Sequence, residues 1–369
     1  MKNFLNNIFK YTEHNEYEFI IPNTPNNLPN ENKEPKQSIS PNLYSNLDYM
    51  KIKYNLLINS DIKLREFTLP IKHKQYASCI MYIDGMVDNE SINNFILQPL
   101  LLKNSITMQN SDSPINSILN PVRKFNLEDF IYSGLIPQNS ISKESDFDKI
   151  ISKLNSGFCI LFVDTLDIAF CVETRKFGAR SVSTPLIETI IKGPQEAFIE
   201  GIRTNTSLIR KIINNENLII EEFPVGNISK TQVAICYMKN IVNDDLVAEV
   251  KFRVNNLNID YLLSSGQLEQ LIQDDSHALY PQVLSSERPD KTSSYILNGR
   301  IAILVNGSPF SIIVPASFTD YLISSEDANL NYHYTNFLRF VRGVALFIAL
   351  FLPRFIYCNY KFSSRNSPI

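Results

Sequence analysis

Two stretches of this chain carry the same order of apolar and polar positions. In each, an apolar run of strand length leads through a short polar turn into a helix with an apolar stripe at helical spacing. The stretches are Ala77–Leu101 and Val233–Leu257, and Ile83 matches Met238 between them. This order predicts two strand–helix units. Their predicted stripes are Ile92, Phe95, Ile96 and Leu100 in the first unit and Val247, Val250, Val254 and Leu257 in the second.

A hairpin pattern also occurs twice. Gly157–Glu173 and Gly299–Pro315 each hold two apolar runs around a polar turn, and Val163 matches Val305. In the second hairpin the turn is Asn306-Gly307, a dipeptide that favours positive φ at both positions. The repeated order predicts an α/β fold with two similar mixed-sheet subdomains and flanking helices. The alternative is a chance likeness between apolar strands.

The two ends of the chain differ from its middle. Tyr11–Asn46 is rich in Asn, Glu and Pro, and it cannot bury enough apolar surface to offset its ordering entropy. We therefore expect a disordered arm over 1–46 and order from a helix at Leu47–Leu57. The other expected divisions are a first subdomain over 47–180, a bridging helix (Thr184–Ile213) with a second subdomain over 181–335, and a membrane-associated segment over 336–369.

The segment Phe337–Tyr357 is strongly apolar. Its uninterrupted core, Gly343–Pro353, is shorter than the roughly 20 residues of a standard membrane span. Arg339 and Arg342 precede this core and Arg354 follows it. Two interpretations stay open: an interfacial amphipathic helix whose arginines reach the headgroups, or an inserted helix whose charges face other helices. Both predict contact with membrane lipid.

Composition argues against several classes of protein. A net charge of −3, from 35 basic and 38 acidic residues, does not suit a nucleic-acid-binding protein. The five cysteines lie far apart without zinc spacing, so we expect small core side chains in a reducing cytosol and no metal site. The four histidines lie outside any HExxH or GxSxG pattern. Asp84 and Asp164 follow apolar strands, but both suit tight turns. We predict no catalytic residue, no cofactor and no enzyme activity.

Two polar motifs stand out from this background. Gly193–Ile212 (GPQEAFIEGIRTNTSLIRKI) begins like a helix with a first-turn proline, but weak helix formers around Arg203 and Asn205 interrupt its apolar pattern. The second motif is ERPD, in which Pro289 and Gly299 bracket a predicted helix. The candidate structural or assembly residues are Arg203, Asn205, Glu287, Arg288 and Asp290.

Plainer interpretations of these residues stay open. The first motif also fits a surface helix with a polar patch, and Glu287 with Arg288 also fits a local ion pair that holds a loop. A binding site is a further alternative. We expect Arg203 to face the other subdomain or a partner chain, because a buried guanidinium needs a carboxylate. Glu287 and Asp290 are the expected partners.

The chain resembles the A subunits of the GerA family of spore-germination receptors. The first motif is similar to a family pattern that we write GPxEAFxExxRTNxxLIRxxI, and the resemblance runs from about Asn59 to Pro353. Further segments that resemble the family are Tyr82–Val87, Ser229–Ile241, Ser264–Ile272, Pro281–Asp290 and Gly299–Pro315.

The resemblance implies a function that the residues alone do not give. A relative of this kind lies in the spore inner membrane, with its soluble domain facing the cytosol or spore core. Its partners are the B and C subunits, other A subunits are possible, and full-length relatives are implicated in ion release when nutrients are sensed. The soluble domain would serve receptor assembly and nutrient-signal relay. The family's multi-helix membrane domain begins near Phe337, and we expect this chain to be truncated because its pattern is lost after Tyr357.

Two rival functions remain at this stage. The first is an isolated cytosolic α/β protein that binds a small molecule in the cleft between its subdomains. The second is a paralogous germination-related membrane protein that does not recognise a germinant.

Overall fold

The computed structural model describes residues 38–71, 74–103, 126–175, 184–190, 192–274, 282–324, 326–327 and 330–365. Most of the predicted N-terminal arm lies outside these residues, as do His14, His73 and His277. The described end of that arm is packed, because Ile39 is buried and its N–H donates to the Ser145 carbonyl at 3.0 Å. Packing therefore starts ahead of the predicted Leu47.

The first half of the fold is one five-stranded sheet with helices on both faces. Its strand order is β1-β2-β4-β5-β3. The strands are β1 (Ile62–Ile71), β2 (Lys74–Ile83), β3 (Ile141–Glu144), β4 (Phe158–Val163) and β5 (Ala169–Glu173). The helices are α1 (Leu43–Lys53), α2 (Asn89–Ile92, continued by π-helical turns Asn93–Leu97 and Pro99–Lys103), α3 (Leu127–Phe130, continued by the π-helical turn Ile131–Leu135) and α4 (Phe147–Asn155).

The second half repeats this plan. Its sheet has the order β6-β7-β9-β10-β8. The strands are β6 (Leu218–Val225), β7 (Thr231–Met238), β8 (Leu284–Ser286), β9 (Ile301–Val305) and β10 (Ser311–Val314). The helices are α5 (Ile202–Ile212), α6 (Asp244–Asn255), α7 (Ser265–Ile272) and α8 (Pro289–Leu297), followed by a 3-10 turn (Phe318–Leu322) and α9 (Tyr332–Arg365).

Strand register confirms the duplication. In the first sheet Ser78 pairs with Val163, and in the second Val233 pairs with Val305, so the matching valines hold the same place. The strands β2 and β7 lie in separate sheets, each between two neighbours, as predicted. We expected mixed sheets, in which some neighbouring strands are parallel and others antiparallel. In both sheets the neighbouring strands described are antiparallel.

Each half is a three-layer α/β/α sandwich. In the first half α1 and α4 cover one sheet face, while the helical turns after α2 and α3 cover the other. In the second half α5 and α8 cover one face, while α6 and α7 cover the other. Both faces of each sheet are therefore buried, which explains why the central strands are continuous apolar runs.

Several local predictions need correction. The first helix ends at Lys53, ahead of Leu57. Phe95 is exposed, because the π-helical turn Asn93–Leu97 widens the helix and shifts its buried stripe to Ile96 and Leu97. In the second hairpin only Gly307 of the predicted pair has positive φ, at +88°, because the loop spans residues 306–310 and is not a two-residue turn.

The predicted bridging helix is much shorter than Thr184–Ile213. Only α5 is helical, and Gly201 precedes it without a side chain to cap the first turn. The Asn306 side chain accepts a hydrogen bond from the Ile202 N–H at 3.3 Å, so a turn of the second half satisfies that donor.

The C-terminal helix α9 is long and largely bare. It has 34 residues, includes Pro353, and exposes large apolar side chains along its length. Within the described residues, its part Tyr332–Arg354 is long and apolar enough to cross a membrane. The core Gly343–Pro353 taken from the sequence was too short for a membrane span, because it excluded the aromatic residues of the helix before Gly343.

Candidate functional site

The first motif places an irregular strap on the second half. We call residues 184–201, described except for residue 191, the strap. Gly193, Pro194 and Gly201 divide it into pieces too short for a stable helix. The strap leads directly into α5, and its Phe198 N–H donates to the Glu287 carbonyl at 2.8 Å. The two motifs picked out from the sequence thus meet.

The ERPD motif holds the strap through its backbone. One carboxylate oxygen of Glu287 accepts from the N–H groups of Ile187 and Glu188, each at 2.6 Å. Arg288 is fully buried, and its guanidinium donates to the carbonyls of Glu188 at 3.2 Å and Pro194 at 2.8 Å. The alternative interpretation, a local ion pair between Glu287 and Arg288, does not fit these contacts, because each side chain binds the backbone of the strap.

Asp290 completes the charge balance of this cluster. Its carboxylate lies 2.7 Å from the Arg288 guanidinium, at the N-terminal end of α8. Lys291, the residue after Asp290, donates from its ammonium group to the Glu188 carboxylate at 2.6 Å. Glu287 and Arg288 therefore bind the backbone of the strap, and Asp290 pairs with Arg288.

Asn205 holds the other end of the strap. It is fully buried, its Oδ1 accepts from the Ile199 N–H at 2.8 Å, and its Nδ2 donates to the Ile199 carbonyl at 2.5 Å. This double contact imitates a pairing between two β-strands. It explains an asparagine in the first turn of α5, where it costs helix propensity but satisfies strap backbone.

Arg203 lies at the boundary between the two halves, where it meets one carboxylate from each half. Its guanidinium lies 2.9 Å from the Glu222 carboxylate and 3.7 Å from the Asp84 carboxylate. The expected partners Glu287 and Asp290 are wrong, because residues two positions apart on a helix project about 200° apart and the strap binds on the Asn205 side. Of the two partners found, Asp84 follows β2 in the other subdomain, as expected for Arg203, but the nearer Glu222 lies on β6 of the second half.

A second arginine, which the sequence analysis missed, is the centre of this junction. Arg210 is 2% exposed and lies seven residues after Arg203, so both project from one face of α5. Its Nε and Nη2 donate to the two carboxylate oxygens of Asp61, at 2.8 and 3.0 Å. Asp61 is 1% exposed and precedes β1 of the first half. The seven-residue spacing was the signal that could have revealed this pair.

Asn59 extends the junction into the second sheet. Its Oδ1 accepts from Arg210 at 3.2 Å and from the Ile220 N–H at 2.9 Å. The neighbouring Ser60 N–H donates to the Ile220 carbonyl at 2.9 Å. The segment before β1 therefore pairs with β6, and the two halves share hydrogen bonds of the kind that join strands.

Close packing supports these contacts. A Cβ placed on Gly85, in the turn after β2, would lie 3.0 Å from the Arg203 carbonyl and 3.3 Å from the Ser207 Cβ. Gly85 also has φ +88°. A larger residue there would be strained and would push α5 away from the first half.

Burial and charge pairing both act on the ionisable groups of the junction. Burial raises the pKa of Glu222 above its usual range, against the lowering influence of Arg203. Arg203 and Glu222 form an ion pair without hydrogen-bond geometry. In the part of the chain that the structure describes, no group of three or more His, Cys, Asp or Glu side chains is placed to hold a metal ion.

A third charged cluster joins α9 to the segment directly before it. The Asp327 side chain is 1% exposed, and it lies 2.9 Å from the Arg339 guanidinium and 3.0 Å from that of Arg342. Burial would raise the pKa of Asp327, but the hydrogen bonds from the two arginines outweigh it and lower the pKa. This clamp is therefore charged at neutral and weakly acid pH, and it is lost only as the pH falls through that lowered pKa.

With this geometry in place, comparisons with known proteins decide the family. The profile of a family described as Bacillus/Clostridium GerA spore germination protein matches residues 49–369. The chain belongs to the GerA family. It is 32% identical to spore germination protein KA of Bacillus subtilis (strain 168), over 87% of this chain and 56% of that protein. It is 29% identical to the uncharacterized membrane protein YfkQ of the same strain, over 85% of this chain and 57% of that protein.

A solved structure gives the same result for the fold. The crystal structure of the N-terminal domain of the A subunit of the Bacillus megaterium spore germinant receptor GerK3 is 32% identical, with a TM-score of 0.55. The match covers 77% of this chain and 98% of that one. This GerA-family chain is A-subunit-like, and it spans little more than half the length of the KA and YfkQ proteins.

Proposed function

We propose that this chain is the soluble module of a nutrient-germinant receptor in the spore inner membrane, facing the cytosol or spore core. It would act in receptor assembly and nutrient-signal relay, together with B and C subunits and in some assemblies with other A subunits. The ion release in which full-length relatives are implicated would belong to the complete receptor. The family and the A-subunit-like fold support this proposal.

The observation that carries the relay is the Asp327 clamp. Arginines at the start of a membrane helix commonly reach lipid headgroups, but Arg339 and Arg342 bind a buried carboxylate in the segment that joins α9 to the second half. Since Arg342 also donates to the Leu322 carbonyl at 3.0 Å, the helix base has several attachments. A movement of the soluble domain would then move α9.

Loss of the clamp is expected to weaken receptor assembly. Asp327→Asn removes the charge that two arginines share, so α9 would become free to tilt relative to the soluble domain. When the chain is co-expressed with B and C subunits and purified from membranes, we expect Asp327→Asn to recover less of both partners. The matched control is Glu144→Gln, which breaks a pair with Lys153 in the first half, away from α9 and from the 3-10 turn that Arg342 contacts. Equal recovery from both variants would contradict the relay.

The paralogue hypothesis also has a supporting observation. YfkQ, which is described only as an uncharacterized membrane protein, covers this chain as fully as a named germination protein does. A family member of that kind would assemble in the membrane without recognising a germinant. Deletion of the gene, followed by germination of purified spores with single nutrients, distinguishes the receptor subunit from the paralogue. Loss of a receptor subunit removes the response to at least one nutrient, whereas loss of the paralogue removes none.

The cleft-binding alternative rests on a polar opening between the halves. Asp148, Asn155, Asn214 and Glu216 line it, and Asn214 donates to the Ser156 hydroxyl across it at 3.5 Å. The buried junction beside the cleft opposes the hinge motion that closes such sites. A thermal-shift screen with amino acids and sugars tests this alternative, and a shift abolished by Asn214→Ala would favour it over relay.

A further inference from the structure

The second half contains an apolar pocket away from the junction and the cleft. It lies between α6, α7 and the end of β10, and it has a volume of about 170 Å³. Its apolar lining consists of Leu246, Val250, Val254, Ile272, Val283 and Val314. The junction, the strap and the Asp327 clamp contribute no residue to this lining.

The internal repeat explains why space is left there. In the first half the corresponding helix packs with Ile92, Ile96 and Leu100, which are at most 2% exposed. In the second half the stripe of α6 is made of valines. Each valine is one methylene smaller than isoleucine or leucine, and protein interiors are otherwise packed closely. The pocket is therefore a place where the second half departs from the first.

The mouth of the pocket carries an excess of negative charge. Arg253 donates to Glu249 at 2.6 Å and to the Ile272 carbonyl at 2.7 Å, and it lies 2.5 Å from Asp274. Two carboxylates thus share one guanidinium. Their side chains are 52% and 67% exposed, so each keeps oxygen surface for another cation. Among the described residues, the remaining polar side chains that line the pocket, Gln273 and Gln282, are uncharged.

We propose that this pocket binds a small apolar molecule with one positively charged end. The apolar body fills the valine-lined space, and an ammonium group lies at the mouth beside Arg253, against the exposed parts of the Glu249 and Asp274 side chains. An apolar cavity of about 150 Å³ accommodates benzene, so a body of that size fits. This site is independent of the receptor function proposed above and lies in a different place from the inter-half cleft.

Three probes of equal size test the charge preference. Benzylamine, benzyl alcohol and benzoate share a ring and differ in the charge of the polar end. With the full chain in detergent, valine-methyl NMR titration should show millimolar binding of benzylamine, with the shifts confined to Val250, Val254, Val283 and Val314. Benzyl alcohol should bind roughly three- to fivefold more weakly, since a partly exposed ion pair adds little, and benzoate more weakly still.

Variants separate a binding site from a packing defect. Val250→Ile with Val254→Leu restores residues of first-half size, so it should abolish the benzylamine shifts while keeping or raising the melting temperature. The matched control is Val247→Ile, a change on the same helix at a residue that does not line the pocket. Glu249→Gln with Asp274→Asn leaves Arg253 as the charged group at the mouth, so benzylamine should then bind no more tightly than benzyl alcohol.

Three outcomes would overturn the proposal. One is that no probe shifts the valine methyls at millimolar concentration, while the filled variant is simply more stable. The second is that benzylamine still binds after Val250→Ile and also after the double change Val250→Ile with Val254→Leu, which fills the pocket. The third is a benzoate affinity equal to that of benzylamine, because the mouth would then exert no charge selection.

Discussion

Replacing Arg210 by alanine is expected to destabilise the soluble domain by about 3–5 kcal/mol, because the change leaves the buried Asp61 carboxylate without its partner. The same change removes a donor to Asn59, which pairs with β6. Chemical denaturation of the purified domain measures the loss, and the unfolding transition should also become less cooperative as the halves separate.

Arg203→Ala is the matched control for this prediction. Arg203 lies on the same face of α5 and also pairs with carboxylates, but its side chain is 42% exposed. We expect its loss to cost less, about 1–2 kcal/mol, because the Arg203 side chain is partly in water. Its partner Glu222 is 10% exposed, but its raised pKa lets it take up a proton when it is left unpaired. Arg210→Met with Asp61→Leu should cost less than Arg210→Ala, since no buried charge is then stranded. Equal losses from Arg203→Ala and Arg210→Ala would contradict the role given to the buried pair.

The apolar face of α9 is expected to control membrane binding. Changing Phe340, Phe347 and Phe351 to serine should lower partition into lipid vesicles by more than about a hundredfold, because each buried phenylalanine contributes about 1.5–3 kcal/mol. Vesicle flotation measures the bound fraction. Removal of 336–369 should abolish binding and leave a folded soluble domain.

The control for the membrane prediction keeps α9 but changes apolar exposure elsewhere. Ile228, Leu263 and Phe252 are 65–78% exposed and lie on the second half. Their joint replacement by serine should leave partition unchanged. If the α9 variant floats with vesicles as well as the unchanged chain does, the helix is not the membrane anchor.

The sequence predicted the central strands because both faces of each sheet are covered. A strand that is buried on both faces is an uninterrupted apolar run, such as VAICYM, and needs no alternating pattern to be recognised. The repeat of these runs also showed which positions of the two halves correspond. The helix α8 was likewise predictable, since Pro289 begins it and Gly299 follows its end with φ +82°.

The strap was not predictable from local patterns. Pro194 suits the first turn of a helix and an irregular segment equally well, and only Asn205, Glu287 and Arg288 decide between them by binding the backbone. The partner of Arg203 depended on how the two halves are placed, which no local pattern specifies. Arg210 could have been found, because its spacing from Arg203 already placed both arginines on one face.

The central claim is that the soluble domain and α9 move as one body. Spin labels can test it on the full chain in vesicles, with one label at Ile228 and one at Tyr334, which are 78% and 69% exposed. Native thiols interfere little, because Cys79, Cys159, Cys171 and Cys236 are buried. Burial raises the pKa of Cys79 and of Cys171 to about 12 and also raises those of Cys159 and Cys236, and Cys358 is changed to serine.

The pulsed-EPR distance distribution between these labels is the most direct measurement. A clamped helix predicts one narrow distance, broadened by Asp327→Asn and left narrow by Glu144→Gln, which breaks a pair in the first half. A distribution in the unchanged chain as broad as that of Asp327→Asn would contradict the account, because α9 would then move independently of the domain that is proposed to drive it.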